Sequence, residues 1–203
     1  MLDTLFTQLA NTTWVEWLAM VVGIAGVYLS IKEKIAAWPL FIICYSCYVY
    51  ISYLFGLHAF MGMNIAFIAI SLYGFWKWQR NRHGQVDELP ITRTRKAHWP
   101  LVGLFLLLGT TGIGWWLGSR GEANLPYLDA FATCCGFVAQ WMLSRKHLET
   151  WVFWIISDII YLGIFIQGPA WPSVILFTVF IGLAVKGWNE WKCHVSNVLE
   201  PGR

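Results

Sequence analysis

WVEWLAMVVGIAGVYLSI (Trp14–Ile31) and YLDAFATCCGFVAQWMLS (Tyr127–Ser144) lie over one another without a gap when the chain is slid so that Trp14 falls on Tyr127. Each is an apolar run close to the roughly 20 residues that a helix needs to cross about 30 Å of hydrocarbon. The overlay continues past both runs, placing Trp14–Trp78 on Tyr127–Trp191 with eleven of 65 positions identical. Apolar composition raises chance identity, so the weight rests on the rarer matches. These are Trp38/Trp151, Trp78/Trp191, Gly23/Gly136 and Gly74/Gly187, with Glu16 over Asp129 as an acidic pair.

Working outward, runs of the same kind recur at Trp14–Ile31, Ala36–Phe55, Ala59–Trp78, Trp99–Gly118, Tyr127–Ser144, Thr150–Ile166 and Trp171–Trp188. They are too long for membrane strands and lack a period of two, so helices are expected. The predicted fold is an all-α integral membrane protein of seven transmembrane helices. An offset of four spans restores the original direction, so the two three-helix repeats, 14–78 and 127–191, are parallel. A basic loop (79–98) and a linker helix with an outer loop (99–126) separate them, giving a 3+1+3 plan. Residues 1–13 form an N-terminal interfacial segment and residues 192–203 a tail. Parallel three-helix repeats are a recurring transporter plan, with the substrate site at the repeat interface.

Composition agrees. The chain of 203 residues is 58% hydrophobic and only 12% charged, about half the charge of a soluble domain. A net charge of +3 excludes the broad basic field of a nucleic-acid binder. Of fourteen Lys and Arg residues, the seven-span reading puts thirteen on one side and Arg120 alone on the other. Basic residues stay cytoplasmic, so the N-terminus is expected outside and the C-terminus inside. The run Arg93–Lys96 is absorbed by this rule, with a lipid or nucleic-acid patch as the alternative. Residues 1–13 have neither a basic start nor a long apolar run, so no cleavable signal is expected. The cysteines read as small buried hydrophobes rather than a redox or metal motif, the CxxC at Cys44–Cys47 included. No metal or cofactor is expected.

Ionisable groups inside spans are costly and therefore mark candidate sites. Asp158 lies eight residues into the sixth span, about 12 Å deep at 1.5 Å per residue. Trp151, Trp154 and Asp158 share one helix face at steps of three and four. Two indoles beside a carboxylate suit a flat organic cation through stacking, cation–π attraction and charge; an aromatic packing stripe with a protonated Asp is the alternative. The repeat-equivalent positions are Trp38, Phe41 and Tyr45, so the aromatic frame recurs and the charge does not. Asn64 and Gln140 are equally one-sided and read as substrate contacts or as interhelical hydrogen-bond glue. Glu16 and Asp129, each in a first helical turn, read as outer gate or structural carboxylates. Lys186, at the end of the seventh span, reads as a gate or a snorkelling lysine.

The stretch Arg145-Lys-His-Leu-Glu-Thr-Trp151-Val-Phe-Trp154-Ile-Ile-Ser-Asp158, with Tyr161 and the Gln167-Gly168 turn, resembles the WxxWxxxN/D signature of the Pnu vitamin transporters. Trp14-x-Glu16, Leu72-Tyr-Gly-Phe-Trp76 and Asp129 extend the resemblance over nearly the whole chain. It implies a seven-helix core similar to the SWEET sugar transporters and a bacterial inner-membrane location. It further implies facilitated diffusion of a B-vitamin that a cytoplasmic kinase traps by phosphorylation. Trp151, Trp154, Asp158, Gln140, Asn64, Tyr161, Trp38 and Tyr45 are the expected substrate-binding residues. Asp158 stands where the nicotinamide riboside carriers of the family have Asn, and Lys186 where they tend to have Asn. A carboxylate suits an aminopyrimidine or thiazolium, which puts thiamine ahead of nicotinamide riboside, itself also a cation. The expected partners are the vitamin, the bilayer and the kinase, and a homo-oligomer stays open.

A membrane enzyme is the contrasting class. It would need a base, nucleophile or metal cluster inside the spans. All five histidines (His58, His83, His98, His147 and His194) fall in loops or at span ends, and no HxxxH or HExxH spacing occurs. No enzymatic activity is expected.

Overall fold

The computed structural model describes residues 13–54, 58–82, 89–121, 125–167 and 171–199. They form seven α-helices: α1 (Trp14–Ile31), α2 (Ala37–Leu54), α3 (His58–Arg82), α4 (Trp99–Arg120), α5 (Pro126–Ser144), α6 (Thr150–Gln167) and α7 (Trp171–Leu199). Nearly all of the interfacial segment 1–13, positions 83–88 of the basic loop, 122–124 of the outer loop, Gly168 and residues 200–203 of the tail lie outside the described residues. Six helices are long and apolar enough to cross a membrane. The seventh expected span, α5, falls short of that measure, and its packing explains why. Twelve of its 19 residues are buried by neighbouring helices, Thr133, Gln140 and Ser144 among them. A helix shielded from lipid by protein on most sides tolerates polar residues that a lipid-facing helix cannot.

Two helices outrun the apolar runs that announced them. α3 continues to Arg82 and α7 to Leu199, because Lys77–Arg82 and Asn189–Leu199 contain no glycine or proline. Apolarity marks the edge of the hydrocarbon, whereas a breaker or a cap marks the end of a helix. Lys186, at the end of the apolar run, therefore sits within the longer helix, its side chain 48% exposed, with its Nζ 5.0 Å from the Tyr28 ring centroid and 4.0 Å from Glu190. At the other end, Thr13 and Glu16 cap α1 reciprocally, the Thr13 N–H donating to Glu16 Oε2 (2.6 Å) and the Glu16 N–H to Thr13 Oγ1 (3.3 Å). This is a capping box, which satisfies two otherwise orphaned groups.

Some contacts recur at positions that the overlay of 14–78 on 127–191 brings together. Both α1 and α5 end in a Schellman motif. The Lys34 N–H bonds Leu29 O (2.9 Å) and the Glu33 N–H bonds Ser30 O (3.0 Å); at the overlaid positions, His147 bonds Met142 O and Lys146 bonds Leu143 O, both at 3.0 Å. Glu33 and Lys146 each adopt φ 54°, the left-handed conformation usually left to glycine. Cys44 Sγ donates to Ala19 O (3.3 Å), tying α2 to α1, and Ser157 Oγ donates to Ala132 O (2.9 Å), tying α6 to α5. Cys44 is therefore a free thiol used as a donor, and Cys47 is likewise free.

Aromatic packing repeats in the same way. Trp38 meets Trp78 edge-on at 5.3 Å, and Trp151 meets Trp191 edge-on at 5.2 Å. Trp38 lies flat on Gly74 of α3, and Trp151 on Gly187 of α7. Across the two halves, Phe67 packs on Gly136 and Phe180 on Gly23. Helices in lipid associate through such close packing, because lipid tails are as apolar as leucine and supply no hydrophobic drive. A methyl at Gly187 would stand 2.6 Å from the Trp151 ring. Gly187→Ala and Gly74→Ala are each expected to destabilise the fold by about 1–3 kcal/mol through overpacking. Thermal unfolding in detergent checks this, and unchanged midpoints in both variants would contradict it.

Consecutive helices pack on one another with one exception: α3 and α4 share no comparable contact. Instead α3 packs against α5 and α1 against α7, while α4 leans on α5. Leu89–Arg95 returns to the bundle, burying Ile91 and pairing Thr92 with the α5–α6 turn through Thr92 N→Lys146 O (3.0 Å) and Leu148 N→Thr92 O (2.9 Å).

Candidate functional site

α6 carries the two tryptophans and the acid on its inward face, as the spacing requires. Asp158 is 5% exposed and Trp151 1%, and Trp154 is partly buried. Ser157 and Thr150 pin α6 to the α5 backbone at Ala132 O (2.9 Å) and Ala139 O (2.7 Å), which fixes the rotation that points Asp158 inward. Trp38, Tyr45, Trp151 and Trp154 belong to one contiguous apolar cluster, so the expected aromatic frame is assembled from both halves.

Phe67 of α3 links Tyr45 and Trp154 of this frame. Tyr45 stacks on it at 4.9 Å and 17°, Trp154 lies parallel at 6.4 Å and 24°, and Phe137 approaches at 4.7 Å. Phe41 extends the stack behind Tyr45. Asp158 lies one helical turn beyond Trp154 on the same face of α6. A carboxylate and a phenol beside a run of parallel rings can hold a flat cationic ring by stacking and charge together. The Trp38 and Trp151 indole N–H groups and Gln140 Oε1 are buried without a hydrogen-bond partner.

The other expected residues are divided. Gln140 is fully buried and its Nε2 donates to Ser71 Oγ (3.0 Å), bridging α5 and α3 as interhelical glue with Oε1 to spare. Asn64 is buried and spends its Nδ2 on Phe60 O of its own helix (2.8 Å). Tyr161 stands a turn beyond Asp158 in a separate network: its hydroxyl meets Thr133 Oγ1 at 2.8 Å and donates to Asp129 Oδ1 at 3.2 Å. Asp129 and Tyr161 thus hold α5 to α6, and Glu16 serves the α1 cap. Sequence reasoning missed Phe67 as a site residue, although its identity with Phe180 in the overlay was the available signal. It also missed the contact between Glu33 and Lys146, which are 2.6 Å apart and are themselves overlaid positions of the two repeats. Opposite charges do not register in a count of identities.

Near that ion pair, burial lowers the pKa of His147, opposed by the carboxylate of Glu149 and reinforced by the charges of Arg145 and Lys77. The neutral ring meets Thr92 Oγ1 at 3.2 Å.

The fold has known relatives. A solved structure titled "Crystal structure of the Vitamin B3 transporter PnuC" superposes with a TM-score of 0.73 at 25% identity, covering 95% of this chain and 86% of that one. The nicotinamide riboside transporter PnuC of Neisseria mucosa is 26% identical over 192 residues, spanning 87% of this chain and 72% of the relative. PnuC of Escherichia coli is 20% identical (89% and 86% covered), and the riboflavin/roseoflavin transporter RibM of Streptomyces davaonensis is 22% identical (92% and 87% covered). Fold and relatives together define the class: a multi-pass transport protein of the bacterial inner membrane, and not an enzyme. The family model described as nicotinamide mononucleotide transporter matches residues 13–193, and the chain belongs to that family, the Pnu family that its signature resembles.

Proposed function

We propose that the protein carries a small cationic B-vitamin down its gradient by alternating access between two parallel three-helix units, α1–α3 and α5–α7, joined by α4. Nicotinamide riboside is the best-supported substrate. The names of the PnuC relatives support it, and that of RibM widens the class to other vitamins with flat rings. This reverses the order drawn from Asp158 alone; none of these names supports thiamine. The observation that carries the reading is the stack Phe41–Tyr45–Phe67–Trp154, which crosses from α2 and α3 to α6 beside Asp158. The contacts that recur at overlaid positions support the paired units.

The test is uptake of labelled nicotinamide riboside, thiamine and riboflavin into vesicles reconstituted with the purified chain. Nicotinamide riboside should equilibrate without being concentrated, and an enclosed vitamin kinase with ATP should drive accumulation. Concentration under a proton or sodium gradient alone would exclude a uniporter. No faster entry than into protein-free vesicles would sink the reading.

The orientation has its own test. Cys193 is an exposed free thiol near the C-terminal end of α7, so an impermeant maleimide should label it only from the cytoplasmic side. Leu125→Cys in a Cys193→Ser background should label only from outside. The thirteen-to-one division of Lys and Arg motivates this, and labelling of both sites from one face would overturn it.

A further inference from the structure

The missing contact between α3 and α4 leaves a groove of about 670 Å³ over α5, walled by Ala66 and Ile70 of α3, Phe137 and Val138 of α5, and Leu101 to Ile113 of α4. Its walls are apolar for most of their length and its two polar residues, Arg145 and His98, belong to the end where α5 finishes and α4 begins. The wall from Leu101 to Ile113 covers twelve residue steps, about 18 Å of helix. That approximates the depth of one leaflet, half of a hydrocarbon core of about 30 Å.

The polar end is built. Arg145 stacks its guanidinium over Trp141 at 4.8 Å, and His98 meets the same indole edge-on at 6.1 Å. Arg145 Nε and His98 Nδ1 are both buried, and neither has a hydrogen-bond partner. Lys77 adds to the positive field near this end. The neighbouring carboxylate of Glu149 is engaged by Thr94 through its N–H and its hydroxyl, each at 2.8 Å. Charge at one end and an apolar channel of leaflet length behind it match an amphiphile with an anionic head and a long tail.

We infer that the α3–α4–α5 groove is a binding site for one anionic phospholipid, its acyl chain along α4 and its phosphate at Arg145 and His98. Basic pockets between transmembrane helices are a recognised means of holding such headgroups, and arginine is suited to phosphate by its planar fork of donors. The groove borders the Phe67 stack at Phe137 but includes neither Asp158 nor Trp154. It depends on the chain being a membrane protein and not on which vitamin it carries.

Native mass spectrometry of the detergent-purified full chain, offered equal amounts of phosphatidylglycerol and phosphatidylcholine, tests it. One phosphatidylglycerol should be retained per chain, with a preference of about tenfold or more, the scale of one charge-assisted hydrogen bond. Arg145→Gln should bring the two lipids close to parity and Arg145→Lys should keep part of the preference. Ile70→Trp, which fills the groove, should lose both lipids. A circular-dichroism melt confirms that each variant is folded, and Ile70→Trp and Arg145→Lys still decide the matter should Arg145→Gln unfold. Equal retention by the wild type, or a preference unmoved by Arg145→Gln, would overturn the inference. So would displacement of the lipid by inorganic phosphate, which would make the site one for a free anion. If Ile70→Trp split an oligomer and left lipid retention unchanged, the groove would belong to a second copy of the chain.

Discussion

Asp158→Ala is expected to weaken binding of nicotinamide riboside by tenfold to more than a hundredfold while leaving the bundle folded. Asp158 is 5% exposed on the inward face of α6, one turn from Trp154. Among the described residues no cation is paired with it in an ion pair or hydrogen bond. A buried acid without such a partner costs the fold free energy, so its loss should not unfold the protein and can raise the melting point. Its interaction with a bound cation, by contrast, is made away from water, where a charge-assisted hydrogen bond contributes about 1.5–3 kcal/mol. Each 1.4 kcal/mol is about a factor of ten in affinity, which sets the range. Trp154→Ala should cost less, about 0.5–2 kcal/mol in cation–π attraction plus stacking area, since Phe67 and Tyr45 keep the rest of the stack. Asp158→Asn preserves shape and a hydrogen bond without charge, so it separates the two terms: a charge-led site loses nearly as much in Asn as in Ala. Calorimetry on the three variants decides it, and wild-type affinity in Asp158→Ala would remove Asp158 from the site.

The same residue shows how far one sequence can be read. Its depth, its companions Trp151 and Trp154, and the recurrence of Trp38 and Tyr45 were all available from spacing alone, because a helix converts steps of three and four into a shared face. The division of labour between the tryptophans was not. Trp151 is committed to Trp191 and Gly187, and Trp154 to Phe67 and Gly136, on opposite sides of one face. That choice is made by residues on other helices, α7 for Trp151 and α3 with α5 for Trp154. Glu16 and Asp129 read equally as gate or structural carboxylates and Tyr161 as a substrate contact, and spacing gave no sign of the partners they have: Thr13 for Glu16, Tyr161 for Asp129, and Thr133 for Tyr161. Spacing reveals which residues face inward. It does not reveal which of those already have a partner.

Glu33 and Lys146 extend the point to the backbone. A residue with a β-carbon at φ 54° is uncommon, and in both Schellman turns glycine would sit there more easily. The side chains account for the exception. Lys146 Nζ lies 2.6 Å from Glu33 Oε2 and 4.9 Å from the Trp78 ring centroid, so one ammonium links the ends of α1 and α5 and covers an indole of α3. With side-chain exposures of 8% for Lys146 and 28% for Glu33, the pair is largely withdrawn from water. Removing one member strands the other. Lys146→Ala is therefore expected to destabilise the protein by about 3 kcal/mol, the low end for a broken buried pair because Glu33 keeps some solvent. Glu33→Ala should cost nearly as much, since Lys146 is the more buried partner and would keep only its contact with Trp78. The double variant Glu33→Ala/Lys146→Ala should cost clearly less than the sum, leaving a coupling of about 1–3 kcal/mol in the cycle. Exchanging the charges, Glu33→Lys with Lys146→Glu, should recover the pair but not the cation–π contact, so it should fall short of wild type. Thermal unfolding in detergent at low and high salt measures all of these. Strict additivity of the two alanine variants would show that the contact does no more than two independent surface charges, and the left-handed turns would then need another explanation.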